Sequence, residues 1–293
     1  MYTNFYFRII SLILIVISAI LVSNLILLGI ASIFNVTIES ENDLMALLKD
    51  ENNIGYVKSY VAINHILIFI ISPLIFLMIF YRNRVISYLS LRHFHPSLLL
   101  LFPLALFSLY PLMGFLSFYV EQIELPDFLD NMDKSSMESL GELLNMTSVQ
   151  DLLINIVIIG IIPGIGEELL FRGVIQKELS KKLINPHVAI FITAFLFSAF
   201  HFQVAGFIPK LMIGLVLGYA YFLSGSLILP MIIHSLNNIF LTTSLFAAGG
   251  KIQTQDIQSE NVPIAAVLFS LILFATLTYL ILSITKPNLQ QNE

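Results

Sequence analysis

The sequence predicts an all-α, polytopic membrane helix bundle of about eight transmembrane helices, with both termini cytoplasmic. Of its 293 residues 57% are hydrophobic and only 11% charged, and mean hydropathy is +0.90. Apolar runs recur at about the 20 residues that a bilayer-spanning helix needs. Soluble domains are nearer a quarter charged, and disordered chains combine low hydrophobicity with high charge, so both classes are excluded. A net charge of −5 argues against nucleic acid as a partner. With no cysteine, disulfides, a thiol nucleophile and thiolate metal sites are all ruled out. Tryptophan is also missing, so any interfacial aromatic belt falls to the 11 Tyr.

The elements follow in order. The first apolar run, residues 9–34, is too long for the core of a signal peptide and reads as a retained span. The others are 60–80, 97–120, 152–166 continuing as helix to about 182, 188–208, 211–223, 227–248 and 264–284, with 211–223 the shortest. Basic residues set the orientation, because cytoplasmic loops collect them. Arg8, Arg82, Arg84, Arg92, Arg172, Lys177, Lys181, Lys182 and Lys286 fall on one side of an eight-span arrangement, nine of the 14 Lys and Arg. Lys49, Lys58, Lys134, Lys210 and Lys251 fall on the other, with the acidic stretches 39–51 and 121–151, which read as solvated loops. Three segments result: motif-free helices and loops over 1–145, a polar-marked segment over 146–250, and a last span with its tail over 251–293.

An ionisable group at the bilayer centre costs roughly 2.5–3.5 kcal/mol, which makes such groups functional candidates by default. Every Asp lies in a predicted loop or at a span end, and only Glu167 and Glu168 sit deep in an apolar segment. His93, His95 and His187 read as interfacial, and His65, early in the second span, as a capping or packing residue. His201 and His234 lie well inside apolar helices. Residues four apart share a helix face, whereas neighbours point about 100° apart. Glu168 and Arg172 therefore form a buried clamp, and Glu167 is the chemically available carboxylate. His234 shares a face with Asn238, and Phe197 with His201. An antiparallel hairpin folded about residue 184 puts Glu167 level with His201. Gly160, Gly164 and Gly166, with Pro163, are expected to loosen the fourth span and admit water beside Glu167.

A carboxylate, two imidazoles and an amide suit hydrolysis. Glu167 and His201 would activate a water, and His234 and Asn238 would stabilise an oxyanion. The same residues offer a second option, with Glu167, His201 and His234 holding zinc and leaving a position open for water. No His is followed by Glu, so the HExxH zinc motif is absent. No pair of intramembrane Asp exists for an aspartyl dyad, and Ser224-Gly225-Ser226 reads as a turn rather than a nucleophile. Interhelical hydrogen bonding that merely holds the bundle together accounts for the spacing equally well.

Glu167-Glu168-Leu-Leu-Phe-Arg172 resembles the EExxxR signature of the CPBP (Abi) family of intramembrane proteases, which includes the type II CAAX prenyl endopeptidases. Phe197-Ser-Ala-Phe-His201 is similar to that family's FxxxH motif, and His234-Ser-Leu-Asn-Asn238 to its HxxxN motif. The three occur in order on three apolar segments, within about residues 150–245. The resemblance implies an intramembrane endopeptidase acting on a membrane-associated protein or peptide. It implies Glu167 as catalytic glutamate, His201 as its partner on water, His234 and Asn238 as the oxyanion site, and Glu168 and Arg172 as supporting residues. It requires no certain cofactor, zinc being the one option. The implied partners are the lipid bilayer and the substrate, and the implied location is the cell membrane, multi-pass. The alternatives are a non-catalytic scaffold or bacteriocin-immunity protein on the same fold, and a proton-coupled transporter. An intact set of Glu167, His201, His234 and Asn238 weighs against the scaffold, and motifs in only one half of the chain weigh against the transporter.

Overall fold

The computed structural model describes residues 4–33, 54–183, 185–250 and 261–290, which form helices and connecting turns with no strand among them. The helices are α1 (Phe5–Ile33), α2 (Ile54–Leu89), α3 (Leu98–Val120), α4 (Asp127–Leu143), α5 (Val149–Lys182), α6 (Pro186–Ala199), α7 (Phe207–Ser224), α8 (Ile228–Ala247) and α9 (Ile264–Gln290). Among the described residues, seven are long and apolar enough to cross a membrane. Of the eight predicted spans, the one that falls short is α6, at 14 residues. Its length is about 21 Å, against a hydrocarbon core of about 30 Å.

Three expectations differ from the structure. The predicted span 188–208 ends at Ala199, and His201 lies in the turn that follows rather than inside a helix. The segment 211–223 belongs to an 18-residue helix beginning at Phe207. Apolar residues continue on both sides of the break, and His201 and Gln203 between them do not interrupt the run enough to end the predicted span. The boundary is written instead in Gly206, which precedes the helix, and in Pro209 in its first turn, where a missing N–H is tolerated. The acidic stretch 121–151, read as a loop, contains the 17-residue α4. Its apolar positions Leu129, Met132, Leu140 and Leu143 recur at helical spacing, beneath a charge content that hides them. The stretch 39–51 and Lys251 lie outside the described residues.

Lipid takes the place of water as the solvent for the outer faces. Leu25, Leu100 and Ile272 are each more than 60% exposed, as expected of side chains turned toward hydrocarbon. Inside, one cluster packs Phe76 and Leu77 of α2 on Leu169, Phe171 and Val174 of α5. A second joins Leu106 of α3, Leu217 of α7, Ile233 of α8 and Ile281 of α9. Helix α5 runs between them, against α2, α6 and α8.

The glycines of α5 act as contact surfaces, and the loosening expected of this stretch is seen in the π-helical turn Ile156–Ile161, which contains Gly160 and precedes Pro163. A Cβ on Gly164 would lie 2.7 Å from the Cα and N of Ser235, and one on Gly160 would lie 2.9 Å from Ile239 Cγ1. These two glycines are four residues apart, so they open one face of α5 to the backbone of α8. Gly166 does the same toward α2, where its Cβ would meet Phe69 and Ile70 at 3.0 and 3.1 Å. On the next face, Arg172 Nη2 donates to the Gly214 carbonyl at 2.7 Å, and Gln176 Nε2 to the Gly218 carbonyl at 3.1 Å. Both acceptors are on α7. Three π-helical turns, Ile66–Ile71, Ile156–Ile161 and Phe171–Gln176, widen α2 and α5 near this core. Such turns are rare and concentrate near functional sites.

Candidate active site

Glu167 and Glu168 both lie inside the bundle, 5% and 0% exposed. Glu168 Oε1 accepts from Arg172 Nη1 at 2.6 Å within a pair wholly withdrawn from solvent, which is the expected clamp. The same oxygen also accepts from His234 Nδ1 at 2.9 Å. The Arg172 guanidinium lies 4.9 Å from the centre of the Phe197 ring, a cation–π contact. That ring in turn meets His201 and His234 edge-on, at 5.1 and 5.7 Å. Phe197 thus spaces the arginine and two imidazoles around one aromatic plate.

Glu167 turns away from the clamp, as the 100° step between neighbours requires. Its Oε1 is 2.9 Å from His65 Nε2. Its Oε2 is buried with no hydrogen-bond partner among the described residues, and His234 Nε2 lies 3.9 Å from it. His201 donates through Nδ1 to the Phe197 carbonyl at 2.9 Å, since a carbonyl only accepts. In the neutral ring Nε2 is then left as an acceptor. The turn carrying His201 is non-helical backbone beside a cavity, the setting in which such backbone is tolerated at membrane depth. Phe202 there has φ +52°, an uncommon region for a bulky side chain. Asp133 of α4 stabilises the turn by accepting from the backbone N–H groups of Val204 and Ala205, at 3.1 and 3.2 Å.

Tyr110 of α3 donates to Oδ1 of Asn237 on α8 at 2.9 Å, and Asn237 Nδ2 donates to Asn238 Oδ1 at 3.1 Å. This chain fixes the Asn238 amide, whose Nδ2 donates to the Ile159 carbonyl at 3.2 Å. An amide NH₂ carries two hydrogens, so one remains to serve a ligand.

Glu167, His201 and Asn238 line one cavity of about 710 Å³, which extends along Ile158 and Pro163 to Leu140 and Leu143 of α4. Most of its wall is apolar, with His65, Gln203 and Lys210 as further polar members. The depth argument therefore puts Glu167 and His201 on a shared cavity. The side chain in hydrogen-bond contact with Glu167, however, is His65. The helix geometry of any one span carried no signal for it, because His65 and Glu167 are 102 residues apart. Its one sequence-level trace was being an ionisable group inside an apolar run. His234 sits behind the wall, between the two glutamates, and Asn238 reaches the cavity from the same helix.

Among the described residues, no three His, Cys, Asp or Glu side chains converge as a metal-holding group. One Glu167 oxygen is engaged by His65 and one His234 nitrogen by Glu168. Glu167, His201 and His234, the residues of the zinc option, are thus not drawn together as a ligand set, although Glu167 Oε2 and the Nε2 atoms of the two imidazoles are not taken up by these bonds.

The multi-pass helical protein thus holds a buried carboxylate with one open oxygen, His65 bonded to the other and an apolar cavity alongside. A family model described as "Type II CAAX prenyl endopeptidase Rce1-like" matches residues 149–240, from the start of α5 to the middle of α8. Over that segment, under a third of the chain, it is similar to the CPBP/CAAX protease family. No curated protein and no solved structure matches the chain.

Proposed function

We propose that the protein is an intramembrane endopeptidase of the cell membrane that hydrolyses a peptide bond of a membrane-associated peptide or protein. The observation that carries this reading is Glu167 Oε2, a buried oxygen without a hydrogen-bond partner among the described residues, on a carboxylate that lines an apolar cavity. A carboxylate so held is suited to take a proton from water, and an apolar cavity to accept a hydrophobic peptide segment.

In the reaction, water donates a proton to Glu167 Oε2 while its oxygen attacks the scissile carbonyl carbon. His201 Nε2 accepts the other hydrogen of that water and orients it. The carbonyl electron pair moves onto oxygen, where the free N–H of Asn238 stabilises it. His234 contributes a donor from Nε2 only when it carries both ring protons, because Nδ1 already donates to Glu168. Collapse of the intermediate breaks the C–N bond, and the proton on Glu167 leaves with the amine. Glu168 and Arg172 hold His234 and α7 in place.

The test is cleavage of a membrane-peptide reporter in detergent by wild type, Glu167→Gln and Asn238→Ala, with and without a chelator. Glu167→Gln should abolish turnover. Asn238→Ala should lower kcat by about 10²–10³ with little change in KM, the loss typical of an oxyanion donor. Full activity in Glu167→Gln refutes the reading, and loss of wild-type activity on chelation replaces it with a metal mechanism.

A further inference from the structure

We infer that His65, on α2 and outside every motif of the sequence, is a positioning residue that orients Glu167 as the base. The inference rests on the reading of Glu167 given above. Peptide hydrolysis by one carboxylate needs one oxygen fixed and the other aimed at water, and the two oxygens of Glu167 are divided in that way. Oε1 is held by His65 Nε2 at 2.9 Å, and Oε2 is left without a hydrogen bond. If the carboxylate rotated, Oε1 would leave its donor inside a site largely closed to water, where a hydrogen bond to a charged group is at its strongest.

Besides its bond to Glu167, His65 makes a ring stack of its own, and the residues around it are fixed by further contacts. Its ring stacks on Phe69, with centroids 4.5 Å apart and planes at 28°. Phe69 is itself packed edge-on against Phe200, at 5.5 Å. The π-helical turn Ile66–Ile71 begins at the next residue and changes the facing of Phe69 and Ile70, which close onto α5 where Gly166 has no side chain. Just before it, Asn64 Oδ1 accepts from Ser23 on α1 at 2.7 Å, which ties this turn of α2 to its outer neighbour. His65 also lines the cavity beside Glu167, so it reaches the substrate space while acting on the carboxylate. In the reaction it neither gains nor loses a proton. Its N–H stays on Oε1 while the water proton goes to Oε2 and then to the departing amine.

The experiment compares His65→Phe, His65→Asn and His65→Gln in steady-state cleavage of the reporter peptide, with melting temperature measured on each. Phe keeps the ring but has no donor, Asn has a donor that falls short of Oε1, and Gln carries its amide close to the Nε2 position. His65→Phe and His65→Asn should lower kcat on the order of ten- to a hundredfold with KM little changed, the rate equivalent of one hydrogen bond to a charged group. His65→Gln should recover most of that loss. On a Glu167→Gln background none of the three should alter the residual rate, because groups acting as a unit are non-additive. Should the Phe variant melt early, the Asn and Gln pair carries the comparison. Wild-type kcat in His65→Asn, a loss confined to KM, or no advantage of Gln over Asn overturns the inference while leaving the protease reading intact. An active Glu167→Gln, or a wild type that cleaves nothing, overturns both.

Discussion

Alanine at Gly164 places a methyl carbon 2.3 Å from Ser235 Oγ and 2.7 Å from the Ser235 Cα and N. The hydroxyl can rotate aside, but the backbone cannot. To reach even the 3.4 Å at which ordinary contact begins, α8 must retreat from α5 by about 0.7 Å, a strain in the 1–3 kcal/mol range of overpacked cores. His234 precedes Ser235, and its 2.9 Å bond to Glu168 would stretch to about 3.6 Å, past the length of a hydrogen bond. We expect Gly164→Ala to lower the melting temperature in detergent and to reduce kcat by about 10²-fold, the usual effect of a 1 Å misplacement in an active site. Gly55→Ala is the control. Among the described residues nothing outside its own helical turn lies within 4 Å of a Cβ there, so alanine should leave activity alone and stabilise α2 by less than the roughly 1 kcal/mol of an interior position. A Gly164→Ala protein that melts and turns over like wild type would refute the close-approach argument.

Other outcomes follow from neighbouring contacts. Glu168→Gln leaves Arg172, 0% exposed, without its charge partner. Breaking such a pair costs about 3–5 kcal/mol, so this variant should lose both melting temperature and activity, whereas Glu167→Gln should lose activity with its melting temperature largely kept. Asp133→Asn removes the charge from the two bonds that stabilise the turn after α6. It should lower kcat by about tenfold through His201, and an unchanged kcat would mean that the turn holds its shape unaided. In this cysteine-free chain, Lys182→Cys should be labelled only from the cytoplasmic side and Asp130→Cys only from outside, and labelling of Lys182→Cys from outside intact cells would reverse the orientation.

The parts of the site legible in the sequence are those that one helix contains. The i,i+4 step gave the Glu168–Arg172 clamp, the separate facing of Glu167, and the Phe197–His201 spacing that becomes a hydrogen bond. The hairpin reflection added one relation between helices, the common cavity of Glu167 and His201. What stayed hidden depends on packing between distant segments. His65 meets Glu167 only because α2 lies against Gly166, and His234 bonds Glu168 only because Gly160 and Gly164 admit α8. Each glycine, read on its own helix, suggested weakness. Its purpose depended on the partner. Helix α4 escaped because its acids outweigh its apolar stripe in any average, and the end of α6 escaped because apolar residues resume on either side of His201 and Gln203.

The two donors that α5 sends to α7, Arg172 and Gln176, are four residues apart, and so are their acceptors Gly214 and Gly218. Such a ladder works as a vernier: sliding one helix by a fraction of a turn breaks both bonds, and only a slip of a whole turn, about 5.4 Å, meets carbonyls again. In one direction Arg172 would find Gly218 but Gln176 would find Phe222. In the other Gln176 would find Gly214 but Arg172 would find Lys210. A Cβ on Gly214 would meet Ala194 at 3.0 Å and one on Gly218 would meet Ile190 at 2.8 Å, so the two glycines seat α7 against α6 while their carbonyls bind α5, and a slipped register would put a side chain into α6. Because α6 and the His201 turn lead directly into α7, the unslipped register also fixes how far His201 stands above the two glutamates.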